Sequence, residues 1–249
     1  MADIGKPPSW DELAEWWRET FTRGADVEYE QQILPLAAEL LTGRHLVLDL
    51  GTGEGQLARH LVRAAKGRRV VGIDPSGRQL ANARLASGGP VYARATGEAL
   101  PFRDSCFDAV ACCLVIEHAT DADALIAEAA RVLAAGGAFL LLVNHPVVQG
   151  PGSGLIDDKL LEERYWRIGP YLNESSSEEE VDPGVRIRFA HRPLSRYVNP
   201  ACEAGLVLTR LEEPAPPFDF LTDSLDLELE SAMPRLCAMR FERLADRQE

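Results

Sequence analysis

Long apolar runs are absent from this sequence. None of its 249 residues belongs to a stretch that approaches the roughly 18 consecutive apolar residues of a membrane-spanning helix. The first ten residues, MADIGKPPSW, also lack the apolar core of a secretion signal. We therefore expect a soluble, cytoplasmic protein without a membrane partner.

Cysteine pairs are missing as well. The chain has five Cys, an odd number, and none of them forms a C-x-x-C pair. Cys112 and Cys113 are neighbours on a predicted strand, so their side chains point to opposite faces. Neither a disulfide framework nor a zinc site is predicted, and we assign no metal ligands.

Positive charge is scarce relative to negative charge. The 39 acidic residues outnumber the 26 basic ones, and the net charge is -13. Such a surface repels a phosphate backbone. We therefore expect no nucleic-acid partner, and the composition leaves the oligomeric state open.

Strand-like and helical segments alternate through the middle of the chain. The apolar runs 45–50, 69–74, 90–95, 107–115 and 138–144 are predicted strands, and 56–66, 76–86 and 122–134 are predicted helices. The strands are nearly continuous in Val, Leu and Ile, which is typical of parallel strands covered on both faces. The alternation predicts an α/β fold in one domain, residues 1–249.

The flanking segments are predicted to surround that sheet. Helices are expected over 10–21 and 27–42, so that residues 1–43 form a partial lid. Residues 145–192 are predicted to be an insertion that covers the substrate pocket, and their acidic run 173–182 a mobile loop. After the insertion, the runs 206–213 and 235–243 complete the set as a sixth and a seventh strand.

The stretch LVLDLGTGEG ends the first strand and begins the first helix. Gly51, Gly53 and Gly55 allow a tight turn and a close approach of the backbone to a ligand, next to the N–H groups of the helix. A dinucleotide fingerprint, G-x-G-x-x-G, would need glycine where Gln56 stands, and a Walker loop would need a Lys that is missing. The turn therefore predicts a nucleotide-type ligand that is not anchored by phosphates.

Two acidic residues narrow the choice of ligand. Asp49 precedes the first glycine by two residues, where it repels a pyrophosphate and accepts hydrogen bonds from an ammonium group, directly or through water. Asp74 ends the second strand, where an acidic side chain binds the hydroxyls of a ribose. Together with the glycines, these residues predict S-adenosyl-L-methionine as the cofactor.

Four motifs follow one another along the chain: LVLDLGTGEG, VVGIDPS, GEALPFRDSCFDAVACCLVIEH and RVLAAGGAFLLLVNHP. In this order they resemble the motifs of the class I S-adenosylmethionine-dependent methyltransferases. Within that family, the resemblance is to the small-molecule, type 11-like enzymes. The resemblance implies a Rossmann-like, doubly wound sheet of seven strands in the order 3-2-1-4-5-7-6. It also implies that the last strand is antiparallel and that helices cover both faces.

The same resemblance implies roles for individual residues. It assigns Asp49, Gly51, Gly53 and Gly55 to the methionine end of the cofactor. It assigns Asp74 to the ribose, Gly97 and Glu98 to the edge of the adenine, and Leu114 to a position along the cofactor.

Methyl transfer depends mainly on holding the acceptor in line with the methyl group, and a base is needed only for some acceptors. We expect His145, after the fifth strand, to face the substrate, with His118 as the weaker candidate. The three Trp residues of the first helix are expected to pack against the body of the protein.

Transfer to oxygen, nitrogen or carbon of a small-molecule acceptor is the preferred interpretation, and two alternatives stay open. A protein or another macromolecule is the first alternative acceptor. The second alternative is a module that binds the cofactor without catalysis.

Overall fold

The computed structural model describes residues 9–21 and 26–244. Eleven strands are numbered along this described part of the chain. Seven of them form the central sheet: β1 (Leu46–Leu50), β2 (Arg69–Asp74), β3 (Val91–Arg94), β4 (Phe107–Cys113), β5 (Leu133–Asn144), β10 (Leu206–Glu212) and β11 (Leu236–Arg243). The other four form two hairpins: β6 (Gly154–Asp158) with β7 (Glu163–Arg167), and β8 (Ser175–Asp182) with β9 (Val185–His191).

The order of strands in the central sheet is β3-β2-β1-β4-β5-β11-β10. Strand β1 is parallel to β2 and to β4, whereas β11 is antiparallel to both of its neighbours. Because β10 and β11 are the sixth and seventh strands of this sheet, the predicted order 3-2-1-4-5-7-6 with an antiparallel last strand is confirmed. The parallel strands therefore end at one edge, where ligands bind in doubly wound sheets.

Helices cover both faces of the sheet. Their bounds are α1 (Trp10–Phe21), α2 (Leu34–Leu40), α3 (Gln56–Ala64), α4 (Gly77–Ala86), α5 (Ala122–Val132), α6 (Pro146–Gln149), α7 (Ser195–Glu203) and α8 (Leu227–Ser231). A π-helical turn, Tyr29–Ile33, leads into α2, and short 3-10 turns span Ile116–His118 and Phe218–Leu221. One core cluster packs α5 and α7 on the sheet through residues such as Ile126 and Tyr197. A second cluster packs α2 and α3 on the opposite face.

Strand β4 is shorter than predicted. It ends at Cys113, because Leu114 adopts a left-handed backbone conformation with φ +54° that no strand accommodates. The chain then turns into the 3-10 segment that ends at His118. The early end of β4 brings the side chains after it to the ligand-binding edge of the sheet.

The acidic run 173–182 is a second difference. Most of it forms β8 instead of the expected mobile loop. In the β8–β9 hairpin, Glu178 lies opposite Arg188 and Glu180 opposite Arg186, and Gly184, with φ +77°, makes the turn. Opposite charges facing each other across two strands stabilise such a pair. The charge that predicted disorder is therefore compensated by the next strand.

The helix α1 is fixed to the body from two sides. Oδ1 of Asp11 accepts hydrogen bonds from Oγ of Ser76 (2.6 Å) and from the backbone N–H of Arg78 (3.0 Å), at the beginning of α4. Nε1 of Trp16 donates to Oδ2 of Asp182 (2.8 Å), at the end of β8.

No helix within the described ranges is both long and apolar enough to cross a membrane.

Candidate active site

A cavity of about 340 Å³ opens at the carboxyl ends of β1, β2 and β4. Most of the residues predicted to bind the cofactor line it, together with one of the two candidate histidines: Gly51, Gly53, Asp74, Gly97, Glu98, Leu114 and His118. Asp49, Gly55 and His145 lie outside its wall. The structure thus gathers residues from three of the four motifs around one space.

The glycine turn after β1 requires glycine at specific positions. Gly51 and Gly55 have φ angles of +66° and +81°. A Cβ atom on Gly51 would lie 2.4 Å from Cγ2 of Val115, and one on Gly55 would lie 2.2 Å from the hydroxyl of Tyr92. Side chains at these two positions would therefore clash as well as strain the backbone. The bare backbone of the turn forms the floor of the cavity.

Asp49 lies behind this turn. Its side chain is buried, and its Oδ2 accepts a hydrogen bond from Oγ1 of Thr52 at 2.6 Å. Burial raises the pKa of Asp49 to about 7, with a smaller contribution from the negative charge of Asp74, while the bond from Thr52 opposes the shift. Asp49 holds the conformation of the glycine turn from within the protein.

Asp74 joins the first two strands at the cavity. Its Oδ2 accepts the N–H of Gly53 (2.9 Å), and its Oδ1 accepts the N–H of Ser76 (2.8 Å). Burial raises the pKa of Asp74, and these two hydrogen bonds act in the opposite direction. Each carboxylate oxygen keeps one further acceptor position for a ligand hydroxyl.

The segments after β3 and β4 form another side of the cavity. Glu98 accepts the N–H of Thr120 through Oε1 at 3.2 Å. A Cβ atom on Gly97 would approach Cδ1 of Leu125 to 2.8 Å, so this position is also closely packed. The strained Leu114 donates its N–H to the carbonyl of Leu142 (2.8 Å). Strained backbone of this kind clusters at ligand sites.

His118 lines the cavity with a defined tautomer. Its Nδ1 lies 2.9 Å from the carbonyl oxygen of Arg188, and since a carbonyl only accepts, Nδ1 carries the proton. No described residue forms a hydrogen bond with Nε2, which is left with its lone pair. Burial lowers the pKa of His118, so the ring is neutral at pH 7. This is the protonation state of a general base.

His145, which was predicted to face the substrate, does not line this cavity. Its side chain is buried, with Nε2 at 2.7 Å from Oε1 of Glu213 and Nδ1 accepting the N–H of Val147 at 3.2 Å. Both ring nitrogens are therefore used within the protein. His145 caps α6 and ties the end of β5 to the segment after β10.

Three aromatic residues line the rest of the cavity: Trp10, Trp17 and Tyr29. The sequence analysis did not assign them to the site. Trp10 and Trp17 are seven residues apart, which places them on one face of α1 two turns apart. That spacing could have revealed a shared aromatic face, although not what the face looks towards. Trp16 lies outside the wall and contacts the β8–β9 hairpin instead.

The chemistry of the cavity fits S-adenosylmethionine. Its volume lies within the usual range for small-molecule sites. Within the described part of the chain, no Lys or Arg lines it, whereas Glu54, Asp74 and Glu98 do. Such a wall disfavours a pyrophosphate and is compatible with a ligand that carries an ammonium and a sulfonium group.

Comparisons with known proteins identify similar sequences and folds. Residues 48–141 match a family described as "Methyltransferase domain". Demethylmenaquinone methyltransferase of Thermus thermophilus is 38% identical over 131 residues, which make up 51% of this chain and 59% of that protein. The ubiquinone/menaquinone biosynthesis C-methyltransferase UbiE of Desulfotalea psychrophila is 32% identical over 127 residues, 50% of this chain and 51% of that protein. The chain thus spans between half and two thirds of the length of these curated relatives.

A solved structure extends the likeness to most of the chain. The crystal structure of an S-adenosylmethionine-dependent methyltransferase from Mesorhizobium loti matches with a TM-score of 0.70 and 27% identity, and covers 88% of this chain and 98% of that chain. The sequence match, the strand order and the cavity lead to the same conclusion. The chain contains a class I S-adenosylmethionine-dependent methyltransferase domain, and its cofactor is S-adenosyl-L-methionine.

Proposed function

We propose that this protein transfers a methyl group from S-adenosylmethionine to a small-molecule acceptor. The observation that carries the proposal is the continuity of one cavity, from the glycine turn and Asp74 to the aromatic residues of α1 and His118. A cofactor and an acceptor bound there would lie side by side. Close and oriented reactants are the main requirement of methyl transfer.

The residues already described assign one half of the cavity to the cofactor. The backbone of Gly51 and Gly53 would hold the methionine end, with Asp49 supporting the turn from behind. Asp74 would accept the ribose hydroxyls, Gly97 and Glu98 would border the adenine, and Leu114 would lie along the cofactor. When bound, the cofactor supplies an electrophilic methyl group on a positively charged sulfur.

The other half of the cavity would bind the acceptor. There we assign His118, in place of His145, as the candidate base. The neutral Nε2 would receive a proton from the acceptor, while the carbonyl of Arg188 holds Nδ1–H and so fixes the ring. The resulting imidazolium would be stabilised by the same carbonyl. Gly55 would contribute only through the backbone conformation of the turn.

Two flanking segments would exclude water from this half. The ring of His118 lies between Trp10, with centroids 5.0 Å apart, and Phe189 of β9, at 4.9 Å. We assign α1, within residues 1–43, as a partial lid, and residues 145–192 as a cover over the substrate side. Both belong to a single domain of residues 1–249. Exclusion of water strengthens the electrostatic interactions in a site.

The relatives support a ring-bearing small molecule as acceptor. The names of two of them refer to methylation of demethylmenaquinone and to ubiquinone and menaquinone biosynthesis. A small quinone-like compound therefore comes first in a screen. The net charge of -13 disfavours a nucleic-acid acceptor.

The experiment supplies the purified protein with S-adenosylmethionine that carries an isotope-labelled methyl group, together with a panel of small quinols, phenols and amines. Mass spectrometry then locates the label. Transfer to at least one acceptor, lost in Asp74→Asn, supports the proposal. Cofactor binding without transfer to any acceptor would favour a non-catalytic module, and transfer only to a protein, in a parallel reaction that supplies a protein mixture in place of the panel, would favour a macromolecular acceptor.

A further inference from the structure

We infer that the acceptor is a neutral, planar aromatic compound with a hydroxyl group, which packs against Trp10 and Trp17 and donates its hydroxyl hydrogen to Nε2 of His118. The inference rests on the proposed function and specifies the acceptor of that same site. Shape, charge and hydrogen bonding each contribute one observation.

The shape is indicated by the aromatic wall. The rings of Trp10 and Trp17 lie 5.7 Å apart at an interplanar angle of 83°, and both line the cavity. Trp17 is packed in turn on Phe21 at 4.5 Å, and Trp10 on His118 at 5.0 Å. Two indole rings arranged edge to face form an apolar corner, and a flat ring packs favourably on the face of one indole and against the edge of the other.

The wall is also held in place by hydrogen bonds within the protein. Asp11 fixes the beginning of α1 to Ser76 and Arg78 of α4, and Trp16 fixes its middle to Asp182 of the β8–β9 hairpin. A prearranged surface loses little conformational entropy on binding. The same two attachments orient Trp10 and Trp17 towards the cavity and leave Trp16 outside it.

The charge is indicated by the residues around the cavity. Three acidic residues line it, and the described residues place no Lys or Arg there to balance an anionic acceptor. The ring of the half-buried His118 is neutral because desolvation lowers its pKa. A carboxylate or phosphate on the acceptor would meet repulsion without a cationic partner, so a neutral compound is favoured.

The hydroxyl is indicated by the tautomer of His118. With Nδ1–H bound to the carbonyl of Arg188, Nε2 is an acceptor and binds a group that donates hydrogen. In transfer to oxygen, the O–H bond breaks and its proton moves to Nε2. The oxygen electron pair forms the bond to the methyl carbon, and the electron pair of the broken C–S bond stays on sulfur.

Binding of probe compounds tests this inference without any turnover. Isothermal titration on protein saturated with S-adenosylhomocysteine compares 2-naphthol with three matched probes. The probe 2-naphthoate is anionic, decahydro-2-naphthol is not planar, and 2-methoxynaphthalene cannot donate a hydrogen bond. We expect 2-naphthol to bind at least about tenfold more tightly than each of the three.

Variants then assign the preference to residues. Trp10→Leu and Trp17→Leu should each weaken 2-naphthol binding about tenfold or more. The matched control Trp166→Leu, in β7 and outside the cavity wall, should leave it within about twofold. His118→Ala should abolish the preference for 2-naphthol over 2-methoxynaphthalene. Unchanged affinity for S-adenosylhomocysteine in every variant confirms the fold.

Equal binding of 2-naphthol and 2-naphthoate would overturn the inference, and so would equal effects of the Trp166 and Trp17 replacements. Neither of these results would contradict the proposed function, provided that S-adenosylhomocysteine still binds. The proposed function itself fails if the unsubstituted protein binds neither S-adenosylmethionine nor S-adenosylhomocysteine. The two failures are therefore distinguishable in one set of titrations.

Discussion

The Nδ1 atom of His118 lies 2.9 Å from the carbonyl oxygen of Arg188. This hydrogen bond joins the 3-10 turn that follows β4 of the central sheet to β9 of the β8–β9 hairpin. It fixes the tautomer of the histidine and turns Nε2 into an acceptor. The β8–β9 hairpin thus sets the tautomer of a residue that the end of β4 positions.

Replacement of the two candidate histidines should separate their functions. His118→Ala should lower kcat by about 100-fold or more, because it removes the general base, and should leave the affinity for S-adenosylhomocysteine unchanged. His145→Ala should lower stability, because it leaves Glu213 without its partner, and should keep most of the turnover of folded protein. The measurements are kcat, the Kd for S-adenosylhomocysteine and urea unfolding. Full activity of His118→Ala would disprove its assignment as the base.

The rate should depend on pH through the same residue. His118 acts when neutral, and burial lowers its pKa from the ordinary value of 6.5. The midpoint of the loss of kcat on acidification should therefore lie below pH 6.5, and the rate should approach its plateau towards neutral pH. The check is a pH profile of kcat with a neutral acceptor, in which an acidic limb centred above pH 7 would contradict the assignment.

Two glycines of the turn after β1 should differ in their tolerance of alanine. Gly51→Ala introduces a Cβ atom 2.4 Å from Val115 at a φ of +66°, so both clash and strain oppose folding. Gly53→Ala meets strain at φ +55°, but no described atom lies within 4 Å of the new Cβ. We expect Gly53→Ala to cost about 1 kcal/mol of unfolding free energy and Gly51→Ala at least about 2 kcal/mol. Urea unfolding measures both, and equal costs would refute the packing argument.

Glu117 should make stability depend on pH. Its side chain is buried, its Oε1 accepts the N–H of Asn144 at 2.8 Å, and its Oε2 has no hydrogen-bond partner among the described residues. Burial raises the pKa of Glu117 from 4.5 to about 7. The folded protein therefore binds a proton between these two values that the unfolded chain has released. The favourable contribution is complete below pH 4.5 and is lost as the pH rises through about 7.

The variant Glu117→Gln removes this dependence. An amide keeps the acceptor for Asn144 and introduces no buried charge. We expect Glu117→Gln to be more stable than the parent protein above pH 7, by on the order of 1 to 3 kcal/mol, and the difference to shrink towards pH 4.5. Urea unfolding at several pH values measures it. A difference that is independent of pH would show that Glu117 ionises normally in the folded protein.

The parts of the fold that depend on local sequence could be predicted. Apolar runs and glycines define the strands, the turn at Gly51 and Gly53, and the position of Asp74 at the end of β2, because each feature lies within a few residues of its cause. The strand order followed from the resemblance. The bounds of β4 could not be predicted, since the left-handed conformation of Leu114 depends on its tertiary contacts.

The histidines could not be ranked from the sequence, because their partners come from distant segments. His145 is held by Glu213, 68 residues away, and His118 by Arg188, 70 residues away. The acidic run was predicted to be mobile because the arginines that face it in β9 belong to a strand that the sequence analysis did not identify. Contacts between segments so far apart determine which side chain enters the cavity.

Binding of S-adenosylmethionine to the unsubstituted protein and to Asp74→Asn tests the central claim most directly. Asparagine preserves the size of the side chain and removes the charge that would accept both ribose hydroxyls. We predict micromolar binding by isothermal titration and a loss of at least about tenfold in Asp74→Asn, with an unchanged circular dichroism spectrum. Absence of binding to the unsubstituted protein, or equal binding to both proteins, would contradict the assignment of this cavity as the cofactor site.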